Sequence, residues 1–368
     1  RSKTNMHSLK TKISTHQNKL KNLSKRIFNG KSLILSQSTP YEVIETFDLT
    51  QIRYYAPEVR KYKEPLVFVV PLAINMSIYD LYPYRSLVKY FQQQGFAVYV
   101  IDWGKLNIHN RHFNFLTFID HYIPLCIQSI LKHSDSEQIS LHGWSMAGIF
   151  VTLYTALHQP NFVKNLMVLG SPIDSYKSGR NGQFFAYLNR IISKSKALQQ
   201  QIYQGKIPKR LLHTSGGLNT FGFKIIDPIG WFQSHKNLLL NLDDHEASYE
   251  HATIGGFLNR MIDYPGGINQ DMLFNVWLRN PLKTGLITLN EKSIALKNIQ
   301  CSLLVAAGTT DQLVTAEAAQ PLTQLTSSTD VTFTLIPGGH LGLMSSKRSA
   351  DEFWPQLAQW LSERSSKI

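Results

Sequence analysis

A serine set between small residues is the first feature of this sequence that could carry out chemistry. Ser145 lies in the stretch SLHGWSMAGIF (140–150), between an apolar run and a segment with helical spacing. The spacing approaches Gly-x-Ser-x-Gly, the turn that presents a nucleophilic serine, but Ala147 occupies its last position and Gly148 follows. One extra methyl group is sterically tolerable there. The alternative interpretation is a serine that only caps the following helix.

A nucleophilic serine needs a histidine as its base, and that histidine needs a carboxylate to fix its tautomer. Asp311 ends the apolar stretch 301–311, and His340 follows the stretch 331–339 on a glycine-rich turn. Taken alone, Asp311 could be a helix cap and His340 a loop residue. With Ser145 they follow the chain order Ser, Asp, His, each at the end of a predicted strand. We interpret the three as a catalytic triad.

The same geometry predicts an oxyanion hole beside the serine. Its first donor is the backbone N–H of Met146, the residue after the nucleophile. Its second donor is the N–H of Ala73 or Ile74, in the loop after the strand PLVFVVP. His142 and Asp102, also near strand ends, are candidates for a supporting role.

No metal site and no reactive thiol are predicted. The cluster DDH (243–245) lacks further residues at ligand spacing, so a solvated turn is expected there. Cys126 falls inside a predicted helix and Cys301 at a strand start, so both are interpreted as buried structural thiols. Two cysteines do not form a disulfide framework, which favours a reducing cytoplasm.

Short apolar stretches alternate with helical ones along most of the chain. Strands are predicted at 43–57, 65–71, 96–103, 138–143, 163–173, 301–311 and 331–340. Helices are predicted at 86–95, at 115–133 with a kink at Pro124, at 146–158, near 316–325 and at 350–364. This alternation predicts an α/β protein with a mostly parallel sheet and flanking helices.

Residues 175–284 break that alternation. They are rich in Lys, Gln, Asn, Gly and aromatic residues, and they predict helices and loops. We interpret them as a cap inserted over the carboxyl ends of the strands, where sites are built. The predicted organisation is a basic segment over 1–40, a core formed by 41–174 and 285–368, and the cap between. With the Ser, Asp, His order, this is an α/β-hydrolase fold.

The chain has 368 residues and a formal net charge of +13, with much of the excess in residues 1–32. This segment is interpreted as solvated, or as docking onto an acidic partner, a membrane or a polymer-granule surface. Nucleic acid is disfavoured because no recognition motif accompanies the charge. The chain has neither an apolar run of the ~20 residues that cross a bilayer nor a secretory signal pattern, so a cytoplasmic protein is expected.

The sequence resembles the polyhydroxyalkanoate synthases, especially the short catalytic subunit of the two-subunit, class III kind. The matching segments lie at 67–91, 95–104, 118–123, 163–174, 257–282, 306–322 and 335–344. The resemblance implies an α/β-hydrolase core, a cap, dimerisation or a second subunit, and transfer of 3-hydroxyacyl groups from coenzyme A to a polyester. It places Asp311 and His340 at the acid and base positions. Coenzyme A thioester is then a substrate, and no cofactor is expected.

Two positions depart from that family. Ser145 stands where the synthases have cysteine, and Gln312 stands where a histidine usually follows the aspartate. An acyl-serine is an oxygen ester, which is less activated than an acyl-cysteine. We therefore expect a serine hydrolase of the esterase, thioesterase or polyester-depolymerase kind. The alternatives are a synthase or acyltransferase, and a catalytically weak subunit that binds granules or a partner.

Overall fold

An eight-stranded sheet runs through the computed structural model, which describes residues 36–72, 76–220 and 244–368 and the single positions 17, 21 and 240. Its strands are β1 (Glu42–Phe47), β2 (Thr50–Tyr55), β3 (Leu66–Val69), β4 (Val98–Asp102), β5 (Ile139–Trp144), β6 (Val163–Leu169), β9 (Ser302–Gly308) and β10 (Val331–Ile336). They lie in the order β1-β2-β4-β3-β5-β6-β9-β10. A separate antiparallel hairpin joins β7 (Leu286–Leu289) and β8 (Lys292–Ala295).

In sheet order, every neighbouring pair from β4 to β10 is parallel, whereas β1 pairs antiparallel with β2 and β2 pairs antiparallel with β4. The residues of β3 and β5 are buried throughout, as strands covered on both faces by helices must be. The mostly parallel α/β sheet expected from the sequence is confirmed. The expected single strand over 43–57 is instead the hairpin of β1 and β2. Asp48, with φ of 52°, turns the chain there, because aspartate tolerates the left-handed region.

Helices flank the sheet, and all of them except the short helix at 342–345 lie where the sequence predicts a helix. They are α1 (Leu87–Gln93), α2 (Ile123–Ser134), α3 (Met146–His158), α9 (Ala316–Ala319), α10 (Leu322–Leu325), α11 (Gly342–Ser345) and α12 (Trp354–Glu363). The helix predicted over 115–133 begins with a wider π-helical turn at Thr117–Tyr122 and continues as α2. Pro124, where the sequence predicts a kink, follows directly after this wider turn, inside the continuous helix. The single helix predicted near 316–325 is the two short helices α9 and α10.

Between β6 and the β7–β8 hairpin, the described residues form helices and add no strand to the main sheet. These helices are α4 (Gly179–Ile192), α5 (Lys196–Tyr203), α6 (Lys209–Leu212), α7 (His245–Leu258), α8 (Gly266–Asn269) and a π-helical stretch at Gln270–Leu278. Asn280 fastens the two ends of this insertion together. It accepts the N–H of Ser175 at 2.9 Å and donates to Asp174 at 2.7 Å. That the insertion is a cap over the site stays a prediction.

Asp271 joins the insertion to the core. One carboxylate oxygen accepts the N–H of Phe115 at 2.9 Å, and the other accepts the side-chain amide of Asn275 at 2.8 Å. The side chain is buried, and burial raises the pKa of Asp271 to about 6. Ionisation of the Asp271 carboxyl group is therefore less favourable in the folded protein than in the unfolded chain.

Replacing Asp271 by Asn should remove a pH dependence from the stability of the fold. The folded pKa of about 6 lies above the unfolded value near ~3.9, so stability falls as the pH rises from the unfolded pKa through the folded one. Relative to Asp271→Asn, the wild-type chain should lose about 2 kcal/mol of unfolding free energy between pH 4.5 and pH 7.5. Urea unfolding of both chains measures this. A difference that stays constant with pH would contradict it.

Candidate active site

Ser145 occupies a sharp turn between β5 and α3. Its backbone has φ of 57° and ψ of −123°, a conformation that residues other than glycine rarely adopt. Its N–H donates to the carbonyl of Leu169 on β6 at 2.8 Å, which anchors the turn to the sheet. Its hydroxyl makes no capping bond to the first turn of α3, although Ser145 stands at the N-cap position. The interpretation of this serine as a simple helix cap is therefore wrong.

Small residues allow this turn to pack. A Cβ atom on Gly143 would collide with the carbonyl oxygen of Ala147, and one on Gly148 would collide with the hydroxyl of Ser171. Ala147 itself is fully buried, so its methyl group is accommodated. Glycine is thus needed one position later than the Gly-x-Ser-x-Gly pattern places it.

Ser171 is a residue of this turn that the sequence analysis missed. It follows the end of β6, and its hydroxyl donates to the carbonyl of Ser145 at 2.7 Å. The bond ties the strained turn to the neighbouring strand. The only signal in the sequence is the Gly-Ser-Pro stretch after that strand, which is common in loops.

His340 connects Ser145 to Asp311. Its Nε2 lies 2.9 Å from the hydroxyl oxygen of Ser145, and its Nδ1 lies 2.6 Å from a carboxylate oxygen of Asp311. The other oxygen of Asp311 accepts the N–H groups of Leu313 and Val314, both at 2.9 Å. The structure thus brings together the three residues that the sequence singled out. With a proton on Nδ1, the ring leaves Nε2 free to accept the serine proton.

Close packing holds the imidazole in place. The ring of Trp144 lies 5.3 Å from that of His340, measured between ring centroids. A Cβ atom on Gly308 would collide with the carbonyl oxygen of Gly338, so the loops after β9 and β10 approach closely because that glycine has no side chain. The side chain of Asp311 is fully buried, which protects its bond to the histidine from water.

One of the predicted oxyanion donors lies within the described residues. Met146 is the first residue of α3, where a backbone N–H has no intrahelical acceptor. Ala73 and Ile74 lie outside the described residues. The oxyanion hole stays a prediction. In it, the backbone N–H of Met146 at the start of α3 would be one of the two donors.

Asp102 and His142, the two candidates for a supporting role, contact residues outside the Ser145–His340–Asp311 set. Asp102 pairs with Arg53 at 2.8 Å and accepts the N–H of Gly104 at 3.1 Å. His142 is fully buried beside Phe68, and in the described part of the chain neither ring nitrogen has a hydrogen-bond partner. Burial lowers the pKa of His142 to about 3, so its ring is neutral at physiological pH. Neither side chain is hydrogen-bonded to the Ser145–His340–Asp311 set.

Neither Cys126 nor Cys301 is a reactive thiol. Burial raises the pKa of Cys126 to about 12 and that of Cys301 to about 11, so both stay protonated. The DDH cluster lies partly outside the described residues. Within residues 36–72, 76–220 and 244–368, no group of three or more His, Cys, Asp and Glu side chains is arranged to hold a metal ion. The helices of this same part of the chain are all too short or too polar to span a membrane.

The sheet order and the turn before α3 define an α/β-hydrolase architecture. A family model described as alpha/beta hydrolase fold matches residues 73–346. The chain belongs to this family. A soluble variant of monoglyceride lipase from Saccharomyces cerevisiae, solved with a substrate analogue, shares the fold with a TM-score of 0.56 at 13% identity, covering 90% of this chain and 96% of that one.

Within the family, the chain is similar to polyhydroxyalkanoate synthases. The poly(3-hydroxyalkanoate) polymerase subunit PhaC of Haloferax mediterranei is 27% identical over 329 residues, which are 89% of this chain and 64% of that protein. The chain thus spans somewhat less than two thirds of that relative's length. The protein of the same name from Allochromatium vinosum is 26% identical over 341 residues, 92% of either chain. The resemblance found in the sequence is confirmed.

The geometry predicts that a fluorophosphonate probe modifies Ser145. Ser145→Ala should abolish the labelling, which mass spectrometry of the digested protein would locate. Asp311→Asn should slow the labelling by ~10³–10⁴-fold, because the amide stabilises the wrong histidine tautomer.

Ser362→Ala is the matched control, since that hydroxyl lies on α12, where it donates to the carbonyl of Gln359. It should keep rapid labelling. Undiminished labelling of Ser145→Ala would show that another residue is the nucleophile.

Proposed function

We propose that this protein is an acyl-transfer enzyme that forms an acyl-Ser145 intermediate from (hydroxy)acyl esters or thioesters, with hydrolysis as its main outcome. The observation that carries the proposal is the hydrogen-bonded series from Ser145 through His340 to Asp311. A serine hydroxyl at a strained turn, within hydrogen-bond distance of an imidazole nitrogen, is arranged for attack on a carbonyl carbon.

The reaction would proceed in two halves. His340 takes the proton of Ser145 as its oxygen bonds to the acyl carbon, and the oxyanion is stabilised by the N–H of Met146 and the second donor predicted in the loop after β3. His340 then returns the proton to the leaving thiolate or alkoxide as the original ester bond breaks. In the second half His340 deprotonates water as the water oxygen bonds to the acyl carbon, and it then gives that proton to the oxygen of Ser145 as the acyl–serine bond breaks and the acid leaves. Asp311 stays ionised and orients the ring in both halves.

Transfer to an alcohol is the second candidate function. The similarity to proteins named as poly(3-hydroxyalkanoate) polymerase subunits favours 3-hydroxyacyl groups carried by coenzyme A, with the hydroxyl end of a polyester as acceptor. The same similarity supports a homodimer or a second subunit as a partner. A cytoplasmic location, with residues 1–32 attached to a polymer granule or membrane surface, completes this candidate. The two functions share the acyl-Ser145 step and differ only in the acceptor.

Incubation with 3-hydroxybutyryl-coenzyme A should separate the two functions. Free thiol release with soluble 3-hydroxybutyrate is the expected result, and insoluble or oligomeric ester would favour the polymerase. Release of thiol by the wild type and none by Ser145→Ala is expected in either case. Absence of thiol release from several acyl-coenzyme A donors, together with absence of alcohol release from several acyl esters, would overturn the enzymatic proposal and leave a binding subunit.

Ser145→Cys should move product from free acid toward oligomer. An acyl-cysteine is a thioester, which stays activated for attack by a hydroxyl group, and a thiol ionises far more easily than an alcohol. Chromatography of the products from the two chains measures the shift. An unchanged ratio of acid to oligomer would show that the nucleophile does not decide the acceptor.

A further inference from the structure

Helix α4 carries apolar side chains on its outer side. Phe184 and Tyr187 are each 57% exposed, and Ile191 is 41% exposed. Their spacing of three and four residues places them on one face of the helix. Leu198, on α5, is also exposed. Single exposed apolar residues are ordinary, but an aligned set on one helix marks a surface that contacts something.

These side chains are not the core-facing side of the helix. That side is formed by Phe185, whose ring lies 5.5 Å from Trp277, and by Ile192, which is buried. Asn189 on the same side accepts the hydroxyl of Tyr203. Since α4 already packs inward through these other residues, the outer stripe leaves about half of its apolar surface exposed.

Many cations lie near the outer stripe in the sequence. Residues 175–220 contain eight Lys and Arg and no Asp or Glu. Six of these cations are exposed and have no ion-pair partner in the part of the chain that the structure describes: Arg180, Arg190, Lys194, Lys196, Lys206 and Arg210. We call the α4–α5 face the four of these cations that lie on α4, on α5 or between them, together with the exposed apolar residues: Arg180, Arg190, Lys194, Lys196, Phe184, Tyr187, Ile191 and Leu198.

We propose that the α4–α5 face binds the surface of an anionic phospholipid bilayer, with α4 lying along the interface. Aromatic and aliphatic side chains flanked by Lys and Arg are the composition of helices that lie at such interfaces. The apolar stripe enters the boundary of the acyl chains, and the cations contact phosphate headgroups. The absence of acidic residues in 175–220 removes the repulsion that would oppose this contact. The proposal concerns residues 180–198 and does not involve residues 1–32.

Vesicle co-sedimentation tests the proposal with the full-length Ser145→Ala chain, so no turnover is involved. The probes are sucrose-loaded vesicles of phosphatidylcholine alone and of phosphatidylcholine mixed equally with phosphatidylglycerol. Binding should be much stronger to the mixed vesicles and should weaken with added salt. Arg190→Gln with Lys194→Gln should lower the partition coefficient by about tenfold or more, since each cation near an anionic surface contributes about fivefold. Phe184→Gln with Ile191→Gln should also lower it.

Lys132→Gln with Lys297→Gln is the matched control. Both lysines are exposed, outside the α4–α5 face, and without an ion-pair partner in the described residues. A loss equal to that of Arg190→Gln with Lys194→Gln would mean that only overall charge matters, and would overturn the proposal. So would unchanged binding by the α4 variants, or equal binding to neutral vesicles. Circular dichroism and fluorophosphonate labelling of the same variants carrying Ser145 show that each is folded.

An occupant other than lipid gives a different result. If the face joins two copies of this chain, Phe184→Gln with Ile191→Gln should convert a dimer to a monomer in analytical ultracentrifugation without changing vesicle binding. That outcome overturns the proposal in favour of self-association. A monomeric protein whose vesicle binding falls with both α4 variants supports it.

Discussion

The parallel pairing of β5, β6, β9 and β10 sets the position of every group in the candidate site. Each strand is in register with the next, so their carboxyl ends meet at one edge of the sheet. Ser145 and His340 are 195 positions apart in the sequence, yet their side chains are within hydrogen-bond distance. Local propensity alone cannot produce such a contact. It exists because helical crossovers return each strand to the same direction.

The strained turn at Ser145 depends on that sheet for its stability. A residue with φ of 57° is unfavourable unless its surroundings hold it there. Here the N–H of Ser145 bonds to β6, its carbonyl accepts the hydroxyl of Ser171, and glycines admit the neighbouring backbone. The same contacts keep the hydroxyl away from the helix start and directed at His340. The contacts that hold the backbone of Ser145 in its strained conformation are therefore the same ones that align its hydroxyl with His340.

The sequence was enough to predict the sheet class and the three converging residues, because both leave strong patterns. Apolar β-branched runs mark buried strands, and the order Ser, Asp, His at their ends marks the site. The turn at Asp48 was missed because a hairpin of two short strands shows the same alternation as one longer strand. Ser171 and Asp271 were missed because each acts through a contact with a residue distant in sequence. The α4–α5 face was missed because only the fold distinguishes the inner side of that helix from its outer side.

The identity of the nucleophile and the surrounding fold set different parts of the reaction. Transfer from a thioester to a serine releases free energy, so formation of acyl-Ser145 is favourable whichever acceptor follows. Transfer onward to a polyester hydroxyl exchanges one oxygen ester for another at nearly equal energy, whereas transfer to water is downhill. Hydrolysis therefore follows wherever water reaches the acyl group. Polymer formation from the same intermediate would require exclusion of water, which in the proposed arrangement falls to the insertion between β6 and β7. In the proposed enzyme the insertion would set how much water reaches the acyl group, and the nucleophilic atom would set how readily a hydroxyl group takes that acyl group instead.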